Sequence, residues 1–280
     1  MAETITLKLT NTQETKLYEA FKEHESRAPA YAKWQLKPEG AVITCYESGK
    51  TVFQGKDASI YASSFQTAES DEFPQAGSDE VGTGDYFGPV CVAASYIDKD
   101  HAALMKKLGV RDSKALNDEQ IRRIAPELMK NIPYSLLILD NGKYNTVHET
   151  NNMNAIKAKL HNQAYVNLSK KIALPKKIII DQFTPENLYY RYISGEKNII
   201  RNIHFETKAE DKYPAVGASS IIARYAFLIS MDRMSEEWGM EFQKGAGAPA
   251  DKCAKEFVKK HGFDNLSKVA KIHFKNTENL

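Results

Sequence analysis

Residues 77–94 read GSDEVGTGDYFGPVCVAA. Three acids, Asp79, Glu80 and Asp85, sit among four glycines, and an apolar run follows at once. Such a stretch could cradle a phosphate, form a plain hairpin turn, or end a strand whose acids hold a metal. A dinucleotide loop needs G-x-G-x-x-G after a strand and opening a helix. Here the spacing is Gly82-x-Gly84-x-x-x-Gly88, and Pro89 and a β-type run come next. The Gly-Lys-Ser/Thr of a Walker loop is missing, and the acids would repel a phosphate. The stretch therefore reads as two strands, 77–81 and 89–97, joined by a turn in which Gly82 and Gly84 supply backbone conformations that other residues resist. A turn of this kind can expose N–H groups to a sugar–phosphate backbone, or can simply be a hairpin with exposed acids.

The pattern downstream alternates helical and strand-like segments. Helices are expected around 101–108, 118–130, 151–172 and 218–234, and strands at 134–139, 177–180 and 199–205. Two strands followed by such alternation predict a mixed α/β sheet with helices on its faces. Upstream, Ile5, Leu7 and Leu9 alternate with polar residues, and Leu17, Tyr18 and Phe21 fall on one side of a helix. AVITCYESGKTVFQG then reads as two strands around a turn at 47–50, with a short helix through Ile60, Tyr61 and Phe65. This β-α-β-β-α segment predicts a small N-terminal domain over 1–66. The acidic, Pro-containing stretch that follows predicts a linker over 67–76, which leaves 77–280 as the larger domain.

The chain has 280 residues, of which 26% are charged and 42% hydrophobic, with a net charge of +2. That is the composition of a globular protein with no strong electrostatic bias. Its three cysteines, Cys45, Cys91 and Cys253, form no C-x-x-C pair, so neither a zinc site nor a disulfide framework is expected. No signal-peptide pattern opens the chain and no apolar run approaches the roughly 20 residues of a membrane span, so a cytoplasmic protein without a membrane partner is expected. Monomer is the default expectation.

The acids carry the chemistry. Asp79 and Glu80 end the first strand of the larger domain. Neighbouring strand residues point to opposite faces, but twist or a bulge at a strand end could bring both to one centre. Asp181 closes the apolar run KKIIID, where a carboxylate is costly unless paired, solvated or metal-bound. Glu206, Glu210 and Asp211 follow the 199–205 segment. Acids at several strand ends fit one site. Each taken singly could equally be a surface residue or a helix cap. Oxygen donors without His or Cys favour Mg²⁺ or Mn²⁺, and two such ions about 4 Å apart can stabilise both oxygens of a phosphodiester displacement.

GSDEVGTGDYFGPVCVAA, RDSKALND, NAIKAKLHNQAY, IIIDQF, TKAEDKYPAVGASSIIARY, KGAG and AKIHFKNT occur in the order seen in bacterial ribonuclease HIII, a type 2 ribonuclease H. The resemblance is dense from Gly77 onward and looser before it. It implies a ribonuclease H-like fold, a mixed central sheet flanked by helices. It also implies endonucleolytic cleavage of the RNA strand of an RNA–DNA hybrid with two Mg²⁺ or Mn²⁺ ions, leaving 3′-hydroxyl and 5′-phosphate ends. By resemblance the catalytic metal ligands are Asp79, Glu80, Asp181 and Glu210, with Asp211 one residue away as the alternative to the last. Gly217 and Ser219 stand where the family more usually has Ala.

The resemblance makes Gly82, Thr83 and Gly84 the sensor of the ribose 2′-hydroxyl, the group that separates RNA from DNA. Ser113 and Lys114 are implied phosphate contacts; without it they read as a cap and a solvated lysine. Asn154, Lys157 and His161 recur at helical spacing and are expected to face the substrate, although His161 could be a packed core residue. Arg224 is a substrate candidate, with a solvated or salt-bridged helix arginine as the alternative.

The N-terminal segment resembles the family's substrate-binding domain, likened to half of the TATA-binding protein. It carries 8 basic against 11 acidic residues through Gln75, while the rest carries 30 against 25. Any binding face there must be a local patch, with Lys33, Lys37, Lys50 and Lys56 near Trp34 and Tyr31 as candidates. A non-catalytic binder of the same fold, and a nucleotide-dependent enzyme, are the competing classes. Retention of all four acids opposes the first. Pro89 and the missing helix oppose the second, so no nucleotide cofactor is expected.

Overall fold

The computed structural model describes the chain except for residues 1–2, 10, 64, 66–72 and 111–115. It divides into two compact units, Met1–Asp71 and Glu72–Leu280. In the first, β1 (Glu3–Lys8), α1 (Asn11–Phe21), β2 (Glu25–Ser26), β3 (Ala32–Leu36), β4 (Val42–Tyr46), β5 (Lys50–Gly55) and α2 (Ala58–Ser63) follow in order. The sheet runs β1-β5-β4-β3-β2, antiparallel throughout. Leu36, Ile43 and Phe53 from its strands meet Leu17, Ala58 and Ala62 from the two helices in one core. Strands β2 and β3 escape the sequence reading, because prolines and lysines interrupt the alternation around them. Trp34 packs against this core and tilts on Tyr18, whereas Tyr31 is 83% exposed.

The second unit holds β6 (Gln75–Val81), β7 (Val90–Ile97), α3 (Lys99–Lys107), α4 (Asp118–Asn131), β8 (Tyr134–Leu139), α5 (Asn141–His148), α6 (Met153–Ser169), β9 (Lys177–Asp181), α7 (Glu186–Tyr192), β10 (Ile203–Glu206), α8 (Pro214–Trp238), α9 (Ala248–His261) and α10 (Lys275–Glu278). The sheet runs β10-β9-β6-β7-β8 and is mixed: β9 lies parallel to β6 and β10, and the other pairs are antiparallel. Strand β6 begins at Gln75, so Gln75 and Ala76, read as the end of the linker, already belong to the central strand. The Gln75 side chain is buried and accepts a hydrogen bond from Ala215 N, which fixes it inside the fold. Residues 67–72 of the expected linker lie outside the described residues. The segment expected as a strand over 199–205 pairs only from Ile203.

Alternation sorts the side chains of β7 between two cores. Cys91 and Ala93 join the cluster built on α4, α8 and α9. Val90, Val92 and Ala94 join the cluster built on α6 and α7. Helix α8 lies close against β6 because residue 77 is glycine: a Cβ there would stand 2.3 Å from Val216 N. Ser219 Oγ then donates to Gly77 O at 2.8 Å, and Ser95 Oγ donates to Ala215 O at 2.8 Å.

Among the described residues α8 is the one helix long and apolar enough to cross a membrane by length and composition. Arg224 interrupts its apolar residues, and two thirds of its most apolar window is buried inside the fold. Small residues and hydroxyls dilute the apolar run in the sequence, and in the fold the helix is mostly buried against β6 and β7. All three cysteines are free and buried.

Candidate active site

The carboxylates gather at the carboxyl ends of parallel neighbours, where open α/β sheets place their sites. Register pairs Ser78 of β6 with Ile180 of β9, so Asp79 and Asp181 are the next residues along adjacent strands. Strand β10 carries Glu206 opposite Asp181. Beyond it Lys208 adopts a left-handed conformation (φ 56°), and a single 3-10 turn, Ala209–Asp211, brings Glu210 inward. Glu210 is buried, whereas Asp211 is exposed. Asp181 Oδ1 accepts from Ala209 N at 2.9 Å, and its carboxyl hydrogen-bonds Glu210.

Asp79 and Glu80 obey strand alternation and face different helices. Asp79 is 7% exposed, accepts from Glu80 N at 2.8 Å and hydrogen-bonds Ser220 of α8. Glu80 points to α6, where Lys157 is ion-paired to one carboxylate oxygen and His161 Nε2 lies 2.8 Å from the other. His161 is fully buried, with its Nδ1 2.7 Å from Ser78 Oγ. In the tautomer whose Nε2–H donates to the carboxylate, Nδ1 accepts a hydrogen bond from the Ser78 hydroxyl. The imidazole stacks on Phe183 at 5.3 Å, and Lys157 Nζ stands 4.1 Å over the same ring. Asn152 caps α6 by accepting from Ala155 N at 2.9 Å, and the four-residue spacing then puts Lys157 and His161 on one side of the helix.

The two carboxyls titrate in opposite directions. Burial, then the adjacent Glu80 charge, raise Asp79 well above the ordinary carboxylate range, and Asp181 adds to the rise. Burial pushes Glu80 upward too, but the His161 and Lys157 contacts outweigh it and leave the group below its ordinary value. Asp181 is raised, first by burial and then by Glu210 and Glu80, against the Ala209 N–H. Among the described residues no three His, Cys, Asp or Glu side chains already form a metal cage. Asp79 and Glu80 are directed to opposite faces, and Glu80 is engaged by two side chains of α6.

The turn after β6 differs from expectation in one glycine. Gly82 has φ +95°, and a Cβ there would lie 2.1 Å from Pro89 O, so the position excludes other residues. Gly84 lies at the exposed tip without a left-handed conformation, and Thr83 is half-buried. Asn154 is exposed in the first turn of α6. Ser113 and Lys114 lie outside the described residues.

Arg224 is committed elsewhere, as in the salt-bridged alternative. Its guanidinium donates to Asp118 Oδ1 at 2.6 and 3.1 Å and to Leu116 O at 2.7 Å, and Lys244 pairs with the same Asp118. Asp118 stands in the first turn of α4, so the arginine is held at the start of that helix. Ser78 was not legible as a site residue, since a strand serine carries no chemistry until its neighbour across the sheet face is known.

A family model described as Ribonuclease HII matches residues 76–277, and one described as Domain of unknown function (DUF3378) matches residues 4–77. Ribonuclease HIII of Bacillus pumilus (strain SAFR-032) is 44% identical, over 97% of this chain and 96% of its own. Ribonuclease HIII of Bacillus subtilis (strain 168) is also 44% identical, over 89% and 88%. A crystal structure of Bst-RNase HIII in complex with Mn²⁺ matches with a TM-score of 0.75 at 39% identity, covering 99% of this chain and 97% of that one. With the ribonuclease H-like sheet and the acids at its strand ends, the chain belongs to the ribonuclease HIII family and is a ribonuclease H, a hydrolytic endonuclease.

Proposed function

We propose that the enzyme cleaves the RNA strand of RNA–DNA hybrids by hydrolysis with two divalent ions, Mg²⁺ or Mn²⁺, leaving 3′-hydroxyl and 5′-phosphate ends. The observation that carries this reading is the placement of Asp79 and Asp181 on adjacent strand ends, with Glu80 and the buried Glu210 beside them. Buried carboxylates that repel one another are stabilised by a shared cation. The donors are all hard oxygens, the set that suits Mg²⁺ and Mn²⁺, and Bst-RNase HIII, a similar protein, has been crystallised with Mn²⁺. Asp79, Glu80, Asp181 and Glu210 would hold the ions. When bound, such ions neutralise the phosphate and activate water for in-line displacement.

The remaining roles fall to the chain itself. Ser220 and the Glu80 N–H orient Asp79, and Ala209 N–H orients Asp181. Lys157 and His161 keep Glu80 ionised and aligned. Gly82, Thr83 and Gly84 read the ribose 2′-hydroxyl, with Ser113, Lys114 and Asn154 as further contacts to the hybrid. Arg224 acts through Asp118 and Leu116, at the end of the segment that carries Ser113 and Lys114. The N-terminal unit, with a fold like half of the TATA-binding protein, adds hybrid affinity. We place the enzyme in the cytoplasm as a monomer.

The test is cleavage of an end-labelled hybrid with Mg²⁺, Mn²⁺ or EDTA, beside all-DNA and all-RNA duplexes. Cutting of the hybrid's RNA strand alone, only with metal and with the stated ends, is expected. Metal-independent cutting, or equal cutting of an RNA duplex, refutes the reading.

A further inference from the structure

Lys271 is fully buried, yet among the described residues no carboxylate pairs with its ammonium. Its ammonium donates instead to two backbone carbonyls of the glycine loop, Asp85 O at 2.7 Å and Gly88 O at 2.6 Å. Its own N–H donates to Tyr86 O at 2.9 Å. The ring of Tyr144 stands 5.8 Å away, and Asp85 and Cys91 are the titratable groups that act on it. Burial, partly offset by Asp85, pushes the ammonium down to about 8. A charge in such surroundings is costly, and an apolar side chain of similar length would fill the space. What the lysine supplies, and an apolar residue would not, is convergence of two carbonyls on either side of Tyr86 and Phe87.

The same loop is gripped at further points. Gly88 N donates to Val269 O at 3.1 Å, Phe87 bridges to Ala270, and Asn141 Nδ2 donates to Gly88 O at 2.9 Å. On the other side Gly245 N donates to Asp85 Oδ1 at 2.6 Å, and Tyr86 N to Gly245 O at 3.0 Å. Asn145 ties the segment around Lys271 to α5, donating to Ser267 O and Ala270 O, each at 2.9 Å. The base of the loop is thus locked while its tip, Gly84, stays exposed.

We infer that Lys271 is a positioning residue for the glycine loop, holding Gly82, Thr83 and Gly84 in the shape that separates ribose from deoxyribose. The inference rests on the proposed role of that turn as the reader of the 2′-hydroxyl. A side chain in the last ten residues of the chain therefore sets sugar specificity at a site built on β6. Reading geometry depends on such support, because a contact displaced by a fraction of an ångström loses its hydrogen bond.

The test compares the full-length chain with Lys271→Met. Amide exchange is followed over residues 82–88 and over β7, and binding to an RNA–DNA hybrid and to a DNA duplex of the same sequence is measured in EDTA. The variant should exchange faster in the loop but not in β7, and should lose at least about tenfold in preference for the hybrid with DNA affinity unchanged. Its KM for hybrid cleavage should rise more than its kcat falls. If Lys271→Met does not fold, Asn145→Ala loosens the same segment from its half-buried edge and should move the same readouts. A wild-type chain that discriminates, with variants that discriminate equally well or lose both affinities together, overturns the inference alone. A wild-type chain that binds both duplexes alike overturns the reading of the turn, and the inference with it.

Discussion

Asp79 and Glu80 are chain neighbours, yet the two faces of the sheet treat them oppositely. On the α8 face Asp79 meets a serine hydroxyl and, nearby, further carboxylates, and its carboxyl is raised. On the α6 face Glu80 meets Lys157 and His161, and its carboxyl is lowered. The strand's two-residue period produces the difference, because it directs adjacent side chains to different helices. Glu80 has a lysine beside it, and among the described residues Asp79 has no ion-paired cation. If the four acids hold metal as proposed, the centre has a half already paired with a lysine and an unsatisfied half still without a cation, where an added ion would gain most.

The largest effect should come from the unsatisfied half. Asp79→Asn removes the carboxylate proposed as central and should lower single-turnover hybrid cleavage by more than about 10³-fold, several kcal/mol of transition-state stabilisation. Hybrid binding measured by gel shift in EDTA should survive. Cleavage at near-native rate would break the comparison by moving Asp79 out of the centre.

The satisfied half should respond in stability. Lys157→Met strips the cation from a buried carboxylate and should cost about 3–5 kcal/mol in EDTA, read by urea unfolding. Adding Glu80→Gln should recover most of that loss, since no unpaired charge remains. A double variant as weak as the single one would mean that Lys157 serves packing alone.

Acid–base behaviour should separate the halves as well. A raised folded carboxyl contributes stability at low pH that is lost as pH rises through its folded value, so wild type in EDTA should weaken against Asp79→Asn above the ordinary carboxylate range. A lowered one contributes stability that is lost as pH falls, so wild type should weaken against Glu80→Gln below that range. Each tenfold change in proton affinity is about 1.4 kcal/mol. Slopes of the same sign would contradict the opposed environments. The smallest effect belongs to a pair away from both faces: Arg224→Ala should cost roughly 1 kcal/mol, because the Asp118 pair is partly exposed. A loss as large as that of Lys157→Met would contradict the partly exposed setting of this pair.

Periodicity and turn chemistry made much of the second unit legible. Strands β6 to β9 and helices α4, α6 and α8 follow from alternation and helical spacing, and Asp181 announced itself as an acid ending a buried run. Short elements were not legible. Strand β2 has two residues and the turn that holds Glu210 has three, too few for any period to register. Resemblance alone singles out Glu210 over Asp211, and its burial follows a turn that begins at one left-handed residue, Lys208. The sequence reads His161 as either a core or a substrate-facing residue; in the fold it is fully buried and bonded to Glu80. Arg224 and Lys271 show the limit most clearly. Their partners, Asp118 and the carbonyls of Asp85 and Gly88, lie more than a hundred residues away in sequence. No local pattern reports such a contact.

The central claim is that the four carboxylates form one cation site whose unsatisfied half is Asp79. Calorimetric titration of Mn²⁺ into the wild-type chain and into Asp79→Asn, without substrate, tests it most directly. Saturable binding by the wild type that is lost or much weakened in the variant is the predicted result. Equal binding by both chains would contradict the account, because Asp79 would then lie outside the site that the metal occupies.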